Sequence, residues 1–102
     1  MVNMMKLMKQ AASMQKDMER VQAELALKTV EFSSGGGMVT ATARGDGSLA
    51  AIRIAPKVVD PSDVDMLQDL IVAAVDGALK AAKEMAAGEM SKLTAGLGLP
   101  GL

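Results

Sequence analysis

The 102-residue chain contains no cysteine, no histidine, no tryptophan and no tyrosine, and Phe32 is its single aromatic residue. Without cysteine there is no disulfide framework and no thiolate metal site, a composition that suits a reducing cytoplasm. Without histidine the usual proton shuttle and the commonest zinc ligand are both missing. A nucleophile would have to come from Lys, Ser or a carboxylate, yet no Ser stands in a nucleophile-elbow pattern. The expectation is a protein that is not an enzyme and takes no metal, no cofactor and no small-molecule substrate. Long apolar runs are absent as well. Nothing approaches the ~20 residues of a membrane helix, and charge interrupts the apolar residues near the N-terminus, so neither a membrane span nor a signal-peptide core is expected. Charge of one sign is scarce too. Eleven basic residues face twelve acidic ones, for a net charge of −1. Attraction to a polyanion therefore has to come from a local patch.

What is present is aliphatic. Half the residues are apolar and ten are Met, so the core is built from flexible thioethers and small aliphatic groups. Residues 4–28 read as a helix: Met4, Leu7, Ala11, Met14, Met18, Val21 and Leu25 alternate steps of three and four, with no Gly or Pro between them. The period then changes to two. Residues 29–34, 38–44 and 48–55 read as strands, joined by Gly35-Gly36-Gly37 and by Gly45-Asp46-Gly47. One face of this antiparallel meander carries Val30, Phe32, Val39, Ala41, Ile52 and Ile54, the third strand alternating through Ala50, Ile52 and Ile54. The other face carries Thr29, Glu31, Thr40, Thr42, Arg44 and Arg53. Asp60-Pro61 reads as a helix start, Asp60 capping and Pro61 in the first turn. From there residues 61–93 form a second helix with Val64, Leu67, Ile71, Ala74, Ala78, Ala82 and Met85 on one face. Residues 94–102, TAGLGLPGL, carry no charge and read as a flexible tail after a single domain of residues 1–93.

Length bears on assembly. A helix of that size spans roughly 48 Å at 1.5 Å per residue, against a radius of gyration near ~13 Å for a compact domain of this size. Such a helix overhangs its own domain, and its apolar stripe and the seam on the first helix need cover. A second copy of the chain is the simplest source, with Met4, Leu7, Met14, Met18, Val21 and Leu25 at the dimer interface and Met5 and Met8 widening it.

Opposite the apolar seam, Lys6, Lys9, Ser13, Lys16 and Arg20 fall on one outer stripe that contains no acid. Residues 1–16 hold three Lys and no Asp or Glu. A charged outer face also serves solubility, but a rigid cationic rod without interspersed acids is suited to following a phosphate backbone. The second helix is split, with Asp65, Asp69 and Asp76 ahead of Lys80 and Lys83. That order complements the helix dipole, and only its cationic end suits DNA. Neither glycine run matches a phosphate loop, since both precede strands rather than helix N-termini.

The stretch Met8-Lys9-Gln10-Ala11 to Met18-Glu19, the Gly35-Gly36-Gly37 turn, Asp60-Pro61 and the Leu97-Gly98-Leu99-Pro100 tail follow in an order that resembles the YbaB/EbfC family of bacterial nucleoid-associated proteins. The resemblance covers nearly the whole chain. It implies an α+β fold, an αβββα protomer whose three-stranded antiparallel sheet is flanked by two long helices, and an intertwined homodimer. It also implies binding to double-stranded DNA with weak sequence preference, in the cytoplasmic nucleoid, through the helices. On this chain those contacts fall to Lys6, Lys9, Lys16 and Arg20, with Lys80 and Lys83 second. A dimeric protein–protein scaffold is the alternative that the near-neutral charge and the Met-rich N-terminus leave open.

Overall fold

In a computed structural model, which describes residues 3–96, the chain folds as helix α1 (Met4–Leu27), strands β1 (Thr29–Ser34), β2 (Val39–Arg44) and β3 (Leu49–Ile54), a short 3-10 turn (Pro56–Val58) and helix α2 (Val64–Gly96). The strands form one antiparallel sheet in the order β1-β2-β3. This is the αβββα arrangement.

β2 is the spine of the sheet. Its Val39, Ala41 and Ala43 face α2, whose Ala74, Ala78 and Ala82 meet them, and none of these six residues has any exposed surface. Five of the six are alanine, so the helix axis lies close to the sheet. Gly77 extends that closeness toward β1. A Cβ there would overlap the Phe32 ring, which rests against the helix at the glycine. Between β1 and β2 the chain reverses through Gly35, Gly36 and Gly37, with φ of 60°, 67° and 94°, a left-handed run that other residues adopt only at a cost.

α2 packs on β1 and β2 and barely touches β3. A bulge sharpens the consequence. Ala41 stands opposite Ile52, yet Ala43 stands opposite Leu49, so the register shifts between Thr42 and Ala43. The sequence alternation placed Ala50 on the apolar face. The bulge also brings Leu49 to that side, opposite Ala43 and beside Ile52 and Ile54, while Ala50 is half-buried. Leu49, Ile52 and Ile54 are all more than a third exposed.

The start of α2 also differs from the sequence expectation. Asp60 accepts hydrogen bonds from the Ser62 amide at 2.9 Å and the Ser62 hydroxyl at 2.7 Å. Its carboxylate is spent on closing a turn, and that bonding holds it below the ordinary carboxylate pKa. Asp63 caps instead, accepting from the Met66 amide at 3.3 Å, and the helix begins at Val64 rather than 61. At the other end it continues to Gly96, so residues 94–96 are helical and not tail. There the Thr94 hydroxyl donates to the Met90 carbonyl at 3.2 Å. The rest of the expected tail, 97–102, lies outside the described residues.

The molecule is long and thin, 73 × 23 × 16 Å, with a radius of gyration of 19.7 Å. α1 accounts for much of this. Only Val21 and Leu25 of α1 are buried. Near the chain reversal, Leu25 lies so close to Gly45 that a Cβ there would come within 2.7 Å of the Leu25 carbonyl oxygen. The Lys28 ammonium donates to Glu89 Oε1 at 3.1 Å, tying the end of α1 to α2. From there α1 runs outward as an arm whose apolar residues Met4 and Leu7 are 70% and 45% exposed.

Candidate nucleic-acid interface

The arm starts at Asn3, whose side-chain oxygen accepts from the amides of Met5 at 3.0 Å and Lys6 at 3.4 Å. Asn before an apolar-periodic run is an N-cap signal that the sequence carried. The cap is needed, because the first turn holds no acid and Lys6 and Lys9 add positive charge near the positive end of the helix dipole. Helix stability and charge placement conflict here. The conflict concentrates positive potential at the end of the arm.

The structure separates the six cations singled out from the sequence into different settings. Lys6, Lys9 and Lys16 are exposed, and none of them forms an ion pair with the described residues. Arg20 does not match them. Its guanidinium lies 3.6 Å from Asp17 and 3.4 Å from Glu24, a fork between two acids one turn away on either side. The heptad frame put Arg20 on the cationic stripe and left out that i,i+3 and i,i+4 spacing brings both acids to it. Lys80 is held by Asp76 at 3.1 Å and lines a hollow with Phe32 and Glu84 on the β1 side. Lys83 lines a different hollow, with Gly45, Gly47 and Leu79 beside the β2–β3 turn. The two lysines of α2 therefore diverge to opposite flanks over the sheet. The unpaired lysines of α1 lie on the arm beyond it.

The seam residues divide in the same way. Val21 and Leu25 are 5% and 2% exposed within the single chain, so their own protomer already covers them and they do not remain open for a second copy. Met4, Leu7, Met14 and Met18 stay exposed or half-exposed. Sequence reasoning missed a second apolar surface. The β3 residues Leu49, Ile52 and Ile54 lie uncovered on the face that α2 occupies, and Val72 and Leu79 of α2 are 66% and 37% exposed. Two apolar residues seven apart and off the main stripe of α2 were the available signal.

Between the arm's root and α2 lies a charged cleft lined by Asp17, Arg20, Glu24, Glu89 and Lys92. Glu89 is held below the ordinary carboxylate value of 4.5, first by its hydrogen bond from Lys28 and then by the charges of Lys28 and Lys92. Three carboxylates face two cations there, so the cleft ties the helices together and offers no positive charge to a polyanion. Among the described residues no cluster of acids is arranged to hold a metal, and no helix is long and apolar enough to cross a membrane.

Comparison with known proteins bears on this arrangement. Residues 1–97 match the model of the YbaB/EbfC DNA-binding family. A nucleoid-associated protein of Acetivibrio thermocellus is 59% identical over 101 residues, covering 98% of this chain and 89% of the relative. A nucleoid-associated protein of Ruminiclostridium cellulolyticum is 56% identical over 101 residues, covering 98% and 88%. The fold is shared with the crystal structure of an uncharacterized protein from Helicobacter pylori, at a TM-score of 0.81 and 20% identity over 92% of this chain and 99% of that one.

Proposed function

The chain belongs to the YbaB/EbfC DNA-binding family, which is not an enzyme family, and from that premise we propose that it grips double-stranded DNA through the phosphates, as a homodimer that helps organise the nucleoid. The observation that carries this reading is the acid-free arm. Over residues 3–16 α1 presents Lys6, Lys9 and Lys16 with no carboxylate on the same stretch. A net charge of −1 is compatible with it, because screening confines useful contacts to charges within about 8 Å at physiological salt. Phosphate contacts carry little sequence information, so sequence preference is weak. Lys6, Lys9 and Lys16 make the principal contacts. Arg20 contributes less, since Asp17 and Glu24 already share its charge. Lys80 and Lys83 are secondary.

Two surfaces support the homodimer. One is the open half of the α1 seam, Met4, Leu7, Met14 and Met18. The other is the ledge of Leu49, Ile52 and Ile54 with Val72 and Leu79 on the neighbouring flank of α2. Such an apolar face on so thin a molecule is unfavourable in water, and a two-fold copy covers it with the same residues. Ile52→Glu should convert the dimer to a monomer, read by sedimentation equilibrium. A parent chain that sediments as a monomer at micromolar concentration would remove this part of the proposal.

The test of the whole is a duplex titration by fluorescence anisotropy across salt concentrations. Three lysines on each of two arms give a slope of log affinity against log salt of about −5. The Lys6→Glu/Lys9→Glu/Lys16→Glu variant should lose binding while keeping its circular dichroism spectrum. Binding by that variant at the parent's affinity would sink the arm as the contact surface.

A further inference from the structure

The lysines explain how the arm is attracted to DNA, but not why two large thioethers stand beside them. Met5 and Met8 are 69% and 67% exposed, on a stretch where solubility would favour polar residues. Both lie off the seam formed by Met4, Leu7, Met14 and Met18. By helix spacing, Met5 sits one turn before Lys9, Met8 one turn before Ala12, and Ala12 one turn before Lys16. One flank of the cationic stripe is thus an apolar strip, Met5, Met8 and Ala12, edged by Lys9 and Lys16.

We propose that the Met5–Met8 face of α1 seats in the major groove of DNA and reads thymine methyl groups, so that T-rich duplex is the preferred substrate of the arm. This rests on the DNA-binding reading above. Width selects the groove. An α-helix with its side chains is ~10–12 Å across, which the ~12 Å major groove admits and the ~6 Å minor groove does not. Chemistry selects the target. In that groove the thymine methyl is the one apolar group on a base edge, and apolar side chains are what contact it. The neutral hydrogen-bonding side chains are occupied, off the strip or set back: by helix spacing the exposed Gln10 and Ser13 fall on other flanks of the helix. Asn3 spends its side chain on the helix cap. Gln15, on the flank of Met8, lies two turns nearer the body and is of the residue type that pairs with adenine, the partner of thymine. Glu19 follows on the same face and ends the surface that tolerates a polyanion. Lys9 and Lys16 on one border place the strip between phosphates and bases, and long flexible thioethers adapt to methyls at varying positions along the groove.

The test compares two duplexes of one sequence, one with thymine and one with uracil at every thymine position, each titrated with the full chain at several salt concentrations. Uracil removes only the methyl and leaves the protein unaltered. Each methyl buried is worth about fourfold in affinity, the value of one apolar carbon taken out of water. With two thioethers engaged, the thymine duplex should bind on the order of tenfold tighter, with equal salt slopes. Met5→Gln/Met8→Gln should bind both duplexes at the uracil level with its slope unchanged. Equal affinity of the parent chain for the two duplexes, with the salt slope intact, overturns the methyl reading and leaves the phosphate grip standing. Discrimination that survives in the double variant overturns the assignment to these two residues. Absence of binding to either duplex removes the DNA reading itself.

Discussion

Over the sheet, α2 and β2 meet through six residues with no exposed surface, five of them alanine, and a glycine at position 77 lets an aromatic ring lie against the backbone. On the arm, no residue of 4–16 is fully buried within the chain and only Met14 is half-covered; the helix opens without an acid in the first turn and carries lysines near its positive end. The body is organised by close packing, where a single methyl matters. The arm is organised by charge, and its local rules are broken in the direction that favours a polyanion. The two regions should therefore fail in different assays when altered.

Reversing the arm's charge is the strongest way to test this separation. Lys6→Glu/Lys9→Glu/Lys16→Glu should lower duplex affinity by a factor on the order of 100 or more near physiological salt, since each phosphate contact is lost together with its counterion release. The urea midpoint should stay within the error of the parent. A large loss of stability in the same variant would show that the arm is part of the packed body after all.

The converse alteration lies in the core. Ala78 has no exposed surface and faces β2, so Ala78→Leu forces the helix off the sheet at a cost of about 1–3 kcal/mol. Gly77→Ala should act in the same direction through the Phe32 ring. Urea unfolding reads both, and the salt slope of DNA binding should be unchanged at temperatures where the variants are folded.

A smaller effect tests the division within the arm. Lys9→Ala should reduce the salt slope by about 1 for each arm engaged, and Arg20→Ala by clearly less, because Asp17 and Glu24 already flank that guanidinium. Equal reductions would mean that DNA draws Arg20 away from both acids.

The smallest effect concerns the clasp between the two regions. The Glu89 carboxyl lies below its ordinary value of 4.5, chiefly through the hydrogen bond from Lys28. A carboxylate depressed in the folded state adds stability that is fully present above the unfolded value and is lost as pH falls through the folded one. The clasp should hold at neutral pH and loosen as the solution is acidified below 4.5. Because Lys28 is 47% exposed and Glu89 keeps partial contact with water, the effect is small and screened by salt. Glu89→Gln should flatten the acid side of a plot of thermal midpoint against pH, and an unchanged acid limb would assign it to other carboxylates.

The change of period, from steps of three and four to steps of two and back, makes the order helix, three strands, helix legible from the residues alone. Both glycine runs mark the reversals correctly. The start of α2 was not legible, because Asp60 and Asp63 are chemically equal candidates and only the turn closed by Ser62 decides between them. The cationic stripe was legible as a spacing. The standing of each cation within it was not, because pairing depends on which acids the helix turns toward them.

By itself the sequence determined that catalysis by histidine or cysteine is absent, that the chain alternates helix and meander, and that positive charge gathers at one end of α1. Those properties follow from residue type and period, which are local. Only the tertiary structure decided that Val21 and Leu25 are covered by their own chain while Met4 and Leu7 are not, that a bulge turns Leu49 onto an uncovered ledge, and that Lys80 and Lys83 part to opposite flanks. A periodic stripe states that a face is apolar, but what lies against that face is set by where the rest of the chain runs. Here α2 stops short of β3 and the arm extends past the sheet.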